Sequence, residues 1–343
     1  MPYYWGKSMI YIRTDMNNII ATGHVMRCLA IADAAKSLGE DTTFLLADNE
    51  AAELLGQHGH QTIIMNTKWN DMDSELPAIK KLIEKHKIER ILIDSYQVTE
   101  NYLKSLSAMV QTFYIDDLNA FFYPVSNLIC YASYWEKFKY SERYQNSRLF
   151  LGMKYAPLRK EFCGCEEKDV SPQVGKLLLI SGGTDKYGIL GQMLNRLNFD
   201  NYLEVNVICG RFDMQYHLLK RQENYIGKIK VHRAVSDIIS FMREADFVIS
   251  AGGTTLYELC AVGTPSISYS IADNQLENVK KFHEDGIIDY AGDVRKDDVL
   301  NNVEKYLQLY HSDQKLRQER SKRMQKMVDG KGAWRIAEEL TKN

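Results

Sequence analysis

His24 follows a glycine in Thr22-Gly23-His24, a short loop between the apolar stretch Met9-Ile10-Tyr11-Ile12 and an amphipathic helical stretch beginning near Val25. In open α/β sheets, ligands bind outside the carboxyl ends of strands, which is where such a loop residue lies. An imidazole at the positive end of a helix tends to stay neutral near pH 7, as a general base requires. Gly23 reads as a turn residue that also keeps bulk away from a ligand. The plain alternative is a loop histidine that caps the helix or sits in solvent.

Other segments offer binding rather than proton transfer. Ile249-Ser250-Ala251-Gly252-Gly253-Thr254-Thr255 runs from a strand through glycines into a helix, with Glu258 one turn in. Amides at a helix start bind phosphate oxygens, and Glu258 could accept hydrogen bonds from ribose hydroxyls. Ser181-Gly182-Gly183-Thr184-Asp185 repeats the device after another strand. Asn274 and Gln275, after Asp273, could hydrogen-bond a diphosphate or sugar hydroxyls without adding charge. Thr254 and Asp273 also suit a helix N-cap. Neither glycine turn has Walker or GxGxxG spacing. In the first half, Arg13 and Asp15 end one strand, Asp94-Ser95-Tyr96 another and Asp116-Asp117 a third. Acidic residues at strand ends are common turn formers as well.

The elements that must hold these groups alternate β-branched runs with helical periods, the pattern of an α/β fold with parallel sheets. The first half predicts strands at 9–13, 42–46, 62–65, 90–94, 112–116 and 127–131, and helices near 24–38, 49–58, 74–87 and 99–109. Val25, Cys28, Leu29, Ala32, Ala35 and Leu38 share one face of the first helix, and Gly39 is a plausible C-cap. Residues 151–175, with Pro157, Pro172 and two charged runs, read as a linker. The second half predicts strands at 177–180, 203–208, 229–233, 246–250, 266–270 and 287–290. Its helices fall near 187–197, 213–224, 236–243, 254–262, 274–285, 296–310, 313–328 and 332–341. The expected architecture is two Rossmann-like domains facing a cleft (GT-B type): 1–158 with the base and 159–343 with the nucleotide.

Length agrees, since 343 residues exceed one ordinary core. Lys plus Arg (43) nearly balances Asp plus Glu (45), so no basic field invites nucleic acid. No apolar run reaches the roughly 20 residues of a membrane span, and residues 1–8 read as a loose leader lacking a secretion signal's apolar core. Six scattered cysteines read as reduced thiols of a cytoplasmic protein. Neither they nor the dispersed histidines suggest a metal site, and no cofactor or protein partner is implied.

Taken together the segments resemble the UDP-2,4-diacetamido-2,4,6-trideoxy-β-L-altropyranose hydrolases of pseudaminic acid biosynthesis, relatives of the GT-B glycosyltransferase that makes lipid II. The resemblance spans nearly the whole chain. It rests on Arg13-Thr14-Asp15, Gly23-His24 with Arg27, Asp94-Ser95-Tyr96, Ile115-Asp116-Asp117, residues 152–162, Gly182–Asp185, Ser250 through Glu258, and Asp273-Asn274-Gln275. It implies metal-free, inverting attack of water on a UDP-sugar, with His24 as the base and Tyr96 positioning water or sugar. It further implies diphosphate at Gly252, Gly253 and Thr254, ribose at Glu258, and polar contacts from Gly182, Gly183, Thr184, Asn274 and Gln275. The nucleotide base would stack near Val235, and Arg13, Asp15, Arg27 and Tyr155 would contact the substrate. Ser95 and Lys186-Tyr187-Gly188 depart from the family pattern, in positions that bear on the sugar. The alternatives are a GT-B glycosyltransferase passing a UDP-linked sugar to a surface polysaccharide or lipid, and a non-catalytic nucleotide-sugar sensor. Phe121-Phe122-Tyr123 is the candidate patch for a membrane-bound acceptor.

Overall fold

The computed structural model describes residues 9–210, 213–223 and 227–342, so the expected leader lies outside the described residues. The chain forms two compact units, Met1–Lys160 with Gly330–Asn343, and Glu161–Asp329.

The first unit runs β1 (Met9–Arg13), α1 (Gly23–Ser37), β2 (Asp41–Leu46), α2 (Ala52–Gln57), β3 (Gln61–Ile64), α3 (Leu76–His86), β4 (Arg90–Ile93) and α4 (Glu100–Ser107). It continues through β5 (Gln111–Ile115), β6 (Asn127–Cys130), the short α5 (Tyr140–Arg143) and β7 (Arg148–Leu151). All neighbours pair in parallel, in the order β3-β2-β1-β4-β5-β6-β7. Buried Ile, Leu and Phe fill the middle strands, as a sheet covered on both faces requires. The chain leaves β1 toward β2 and β3, then returns to place β4 on β1's other side. That reversal is a switch point, where a crevice opens above the strand ends.

The second unit repeats this order. It runs β8 (Lys176–Ile180), α6 (Ile189–Arg196), β9 (Glu204–Cys209), α7 (Tyr216–Gln222), β10 (Ile229–Arg233), α8 (Ile238–Glu244), β11 (Phe247–Ala251) and α9 (Thr255–Val262). Then come β12 (Ser266–Ser270), α10 (Asp273–Glu284), β13 (Asp289–Asp293), α11 (Val299–Ser312) and α12 (Gln314–Met327). The parallel order β10-β9-β8-β11-β12-β13 puts its switch point between β8 and β11.

Three differences from the sequence reading have physical causes. Residues 148–151 form β7 on the edge of the first sheet, because Leu149 and Phe150 continue the parallel register of Leu128 and Ile129. Four residues are too few to show a period. The last helix, α13 (Gly332–Thr341), belongs to the first unit, whereas 159–343 was expected to be one domain. It packs on α1 and buries Ala333, Ile336, Ala337 and Leu340. Arg90 completes this docking by donating to the carbonyls of Leu340 (2.5 Å) and Lys342 (3.0 Å). Finally, Phe121-Phe122-Tyr123 is not one continuous apolar face: Tyr123 is buried, Phe121 is half-buried, and the exposed Phe122 stacks on Tyr144.

Candidate active site

Above β1 and β4 the chain makes a tight turn before α1. The Asn17 side chain accepts from the amides of Ile19 (2.8 Å) and Ile20 (3.0 Å), and Asn17 bridges to Ala21. Ala21 takes the left-handed turn (φ +57°), while Gly23 is simply the first residue of α1. The expected turn role of Gly23 therefore belongs to Ala21. A Cβ on Gly23 would meet nothing within 4 Å, so the glycine leaves open space beside His24.

His24 sits in the first turn of α1 and is buried. Its Nδ1 lies 2.8 Å from Asp94 Oδ1, just past the end of β4. Arg27 Nη2 lies farther from Nδ1, at 3.0 Å; an ionised carboxylate only accepts, so the shorter contact to Asp94 places the hydrogen on Nδ1 and Nε2 keeps its lone pair. Nε2 has no protein partner among the described residues. Asp94 is wholly buried, which alone would raise its pKa. The charge of Arg27, then His24 and the hydrogen bonds from both, more than offset this and hold the carboxyl well below the usual range.

Arg27, one turn along α1, ties the site together. Its Nε donates to Asp94 Oδ2 (2.5 Å), Nη2 to Asp94 Oδ1, and Nη1 to the Tyr131 hydroxyl (2.6 Å). Nη1 also lies 3.4 Å from Asp117 Oδ2, which accepts the Tyr96 hydroxyl at 2.9 Å. The Tyr96 ring meets the imidazole edge-on, with centroids 4.6 Å apart. His24, Asp94, Tyr96, Asp15, Ile20, Ser95 and Gln97 line one small pocket.

Two residues expected at the substrate are engaged within the protein. Arg13 is fully buried and commits its guanidinium to Glu75 (2.7 Å twice), to Asp15 (2.5 Å) and to the Thr14 carbonyl. Buried charge demands such pairing, so Arg13 braces the loop with its donors already engaged. Arg27 is likewise spent on Asp94 and its neighbours. Asp15 does line the pocket, with its oxygens already accepting from Arg13 and from the Ala47 amide (2.8 Å). Tyr155 packs edge-on against Phe150 and is not among the pocket residues.

In the second unit the glycine turns leave adjacent strands, β8 and β11, and Asn274 and Gln275 follow β12 beside them. Gly182 needs φ +80°. A Cβ on Gly210, after β9, would lie 2.1 Å from the Gly183 carbonyl, so two glycine segments close on each other there. Gly252 is packed just as tightly: its Cβ would sit 2.2 Å from Val279 Cγ2 of α10. The amides of Gly252 and Gly253 are taken by Tyr269 (2.8 Å) and Ala251 (2.9 Å), leaving Thr254 and Thr255 to present the helix-start amides. The amides of Gly252 and Gly253, expected at a diphosphate, are therefore already engaged within the chain.

Thr184 and Glu258 are half-buried at this edge, and Asn274 is exposed. Thr254 caps α9 without a side-chain bond; Asp273 pairs with Arg295 (2.7 Å) instead of capping α10. Gln275 accepts from the Ile271 amide (2.9 Å), which spends its oxygen and leaves its NH2. Val235 is half-buried after β10, two strands from β8, and so stands apart from the glycine turns. Sequence reasoning missed Glu75, Tyr131, Ile20, Gln97 and Gly210. Glu75 and Tyr131 gave no spacing signal; Gly210 directly after an apolar strand did. Among the described residues no three His, Cys, Asp or Glu side chains are grouped to hold a metal, all six cysteines are free, and no helix is long and apolar enough to cross a membrane.

Residues 181–330 match a family described as a protein of unknown function, DUF354. The chain is 22% identical over 323 residues to the spore coat polysaccharide biosynthesis protein SpsG of Bacillus subtilis, covering 92% of each. It is 23% identical over 295 residues to the uncharacterized protein MJ1062 of Methanocaldococcus jannaschii, covering 80% of this chain but only 59% of that one. Among solved structures, the calicheamicin glycosyltransferase CalG4 superposes with a TM-score of 0.69 at 13% identity over 97% of each chain. Acinetobacter baumannii MurG gives 0.66 at 14% identity, covering 98% of this chain and 100% of its own. The Staphylococcus aureus MnaA structure with UDP gives 0.66 at 11%, covering 96% and 94%. These likenesses at both sheets give the chain a glycosyltransferase-like fold of the GT-B kind, built from two Rossmann-like domains.

Proposed function

We propose that this protein cleaves the glycosyl–phosphate bond of a UDP-sugar in the making of a polysaccharide or surface glycan, with His24 as the base that activates the incoming hydroxyl. The observation that carries this is the His24–Asp94 pair at a switch point, with Nδ1 held by a buried carboxylate and Nε2 bare. Such a positioned base contributes roughly 10²–10⁴-fold. The hydroxyl gives its proton to Nε2 as its oxygen bonds the anomeric carbon and UDP departs with the bonding electrons. A single displacement inverts that carbon. Helix-start amides at Thr254 and Thr255 would bind the diphosphate as its charge grows. Glu258 would take the ribose, Gly182, Gly183, Thr184, Asn274 and Gln275 would add contacts, and Val235 would flank the base.

Two acceptors are compatible with this chemistry, and each has its support. Transfer to a carbohydrate or lipid hydroxyl is supported by the company of the fold, glycosyltransferases such as CalG4, and by the spore coat polysaccharide relative. Hydrolysis is supported by the small polar pocket beside His24 and by the motif resemblance, which names a UDP-diacetamido-trideoxy sugar. Incubating UDP-, CMP- and GDP-sugars with and without a lipid or glycan extract separates them. Free sugar and UDP without acceptor is the hydrolase result; release that needs the extract is the transferase result. Binding of UDP without turnover of any sugar nucleotide defeats both and leaves a sensor.

A further inference from the structure

Asp117 touches neither His24 nor Asp94, yet both are joined to it through Arg27 and Tyr96. Its Oδ2 accepts the Tyr96 hydroxyl and faces Arg27 Nη1, while its Oδ1 is buried without a partner among the described residues. The Tyr134 hydroxyl donates to its backbone carbonyl (2.8 Å), which fixes the residue in place. The adjacent Asp116 differs: it accepts from Tyr123 (2.8 Å), Tyr140 and the loop amides of Leu118 and Asn119, and so serves only to shape the loop.

We infer that Asp117 is a positioning residue that supplies the surplus negative charge against which His24 takes up a proton. The inference rests on His24 being the base. Asp94 and Asp117 contribute two negative charges and Arg27 one positive, so the cluster carries −1 around a neutral imidazole and 0 around an imidazolium. Neutralising a buried cluster by proton uptake is favourable; without Asp117 the same uptake would leave it at +1. The remaining groups facing the ring are the same with and without Asp117, the formal −1 of Arg13 with Asp15 and Glu75 included. Cys28 on α1, Tyr96 beyond β4 and Tyr131 beyond β6 are held neutral, each pushed up first by burial. Asp15 beyond β1 stays tied to Arg13, which Glu75 shares, and none of these three changes when Asp117 is replaced.

The test is a pH titration of the full chain labelled with 15N-histidine, with the His24 signal assigned by its loss in His24→Asn. In Asp117→Asn the midpoint of the His24 titration is expected to fall by on the order of one pH unit, a tenfold loss of proton affinity. Asp117→Glu restores it. Tyr96→Phe, which keeps both carboxylates, leaves it in place, an outcome that a purely packing role for Asp117 would not give. Asp117→Ser removes the same charge with less bulk and serves if Asp117→Asn does not fold, as judged by circular dichroism. A midpoint unmoved in the folded neutral variants overturns the inference. Where a UDP-sugar is turned over, the acid limb of kcat/KM moves with the midpoint and KM holds. If no sugar nucleotide is turned over, the functional reading fails while the titration still decides the role of Asp117.

Discussion

The two switch points share one strand order and carry opposite chemistry. Between β1 and β4 the edge is filled by ionised side chains that satisfy one another: Arg13 with Glu75 and Asp15, Arg27 with Asp94. Between β8 and β11 it is filled by backbone: Gly182 takes a left-handed turn, and Gly210 and Gly252 bring main chain where side chains would collide. Buried hydroxyls of Ser181, Ser268 and Tyr269 lie around it without partners among the described residues. A closed network of charges fixes one imbalanced group, His24, and suits proton transfer. Backbone donors at helix starts suit an anion that comes and goes. One topology thus serves either task, and only the residues at its edge decide which.

If that division holds, mutations at the two edges must fail in different ways. The largest effect is expected from His24→Asn: turnover of the UDP-sugar falls roughly 10²–10⁴-fold, while UDP affinity by calorimetry is unchanged. A parallel loss of UDP binding would break the division. Asp94→Asn should cost a comparable amount of kcat and also reveal a pH-dependent stability. Its folded pKa is depressed, so the carboxylate's contribution is complete above its unfolded value of about 3.9 and is lost as pH falls through the folded one. The wild-type advantage in urea unfolding over Asp94→Asn is therefore expected to be constant above about pH 5 and to shrink below about pH 4. Next comes Gly252→Ala, which forces a methyl onto Val279 and should cost about 1–3 kcal/mol in unfolding free energy. It should weaken UDP binding and leave the His24 titration alone. Smallest is Glu258→Gln, expected to raise KM about tenfold through one weakened charge-assisted hydrogen bond, with kcat held.

Much of this could be read from the residues. The alternation of apolar runs and helical periods located the central strands, because strands buried on both faces are continuous Ile, Leu and Val. The Gly-His-x-x-Arg spacing put His24 and Arg27 on one helix face, one turn apart. What the sequence hid was partnership. Arg13 looks like an anion ligand until Glu75, from a turn 62 positions away, takes two of its nitrogens. Gly252 looks like an open phosphate loop until Val279 is seen to fill the space a side chain would need. The edge strand at 148–151 and the return of the last helix were hidden for the same reason, since both depend on surfaces contributed by distant segments.

That returning helix has a consequence for how the molecule is made. As the nascent chain leaves the ribosome, the segment bearing His24 appears early, yet the apolar cover for α1 arrives only with Ala333, Ile336 and Leu340. The intervening unit, Glu161–Asp329, is contiguous in sequence and is made complete before that cover arrives. A stop codon near residue 330 would therefore disturb His24, about three hundred positions upstream, by baring the helix that carries it.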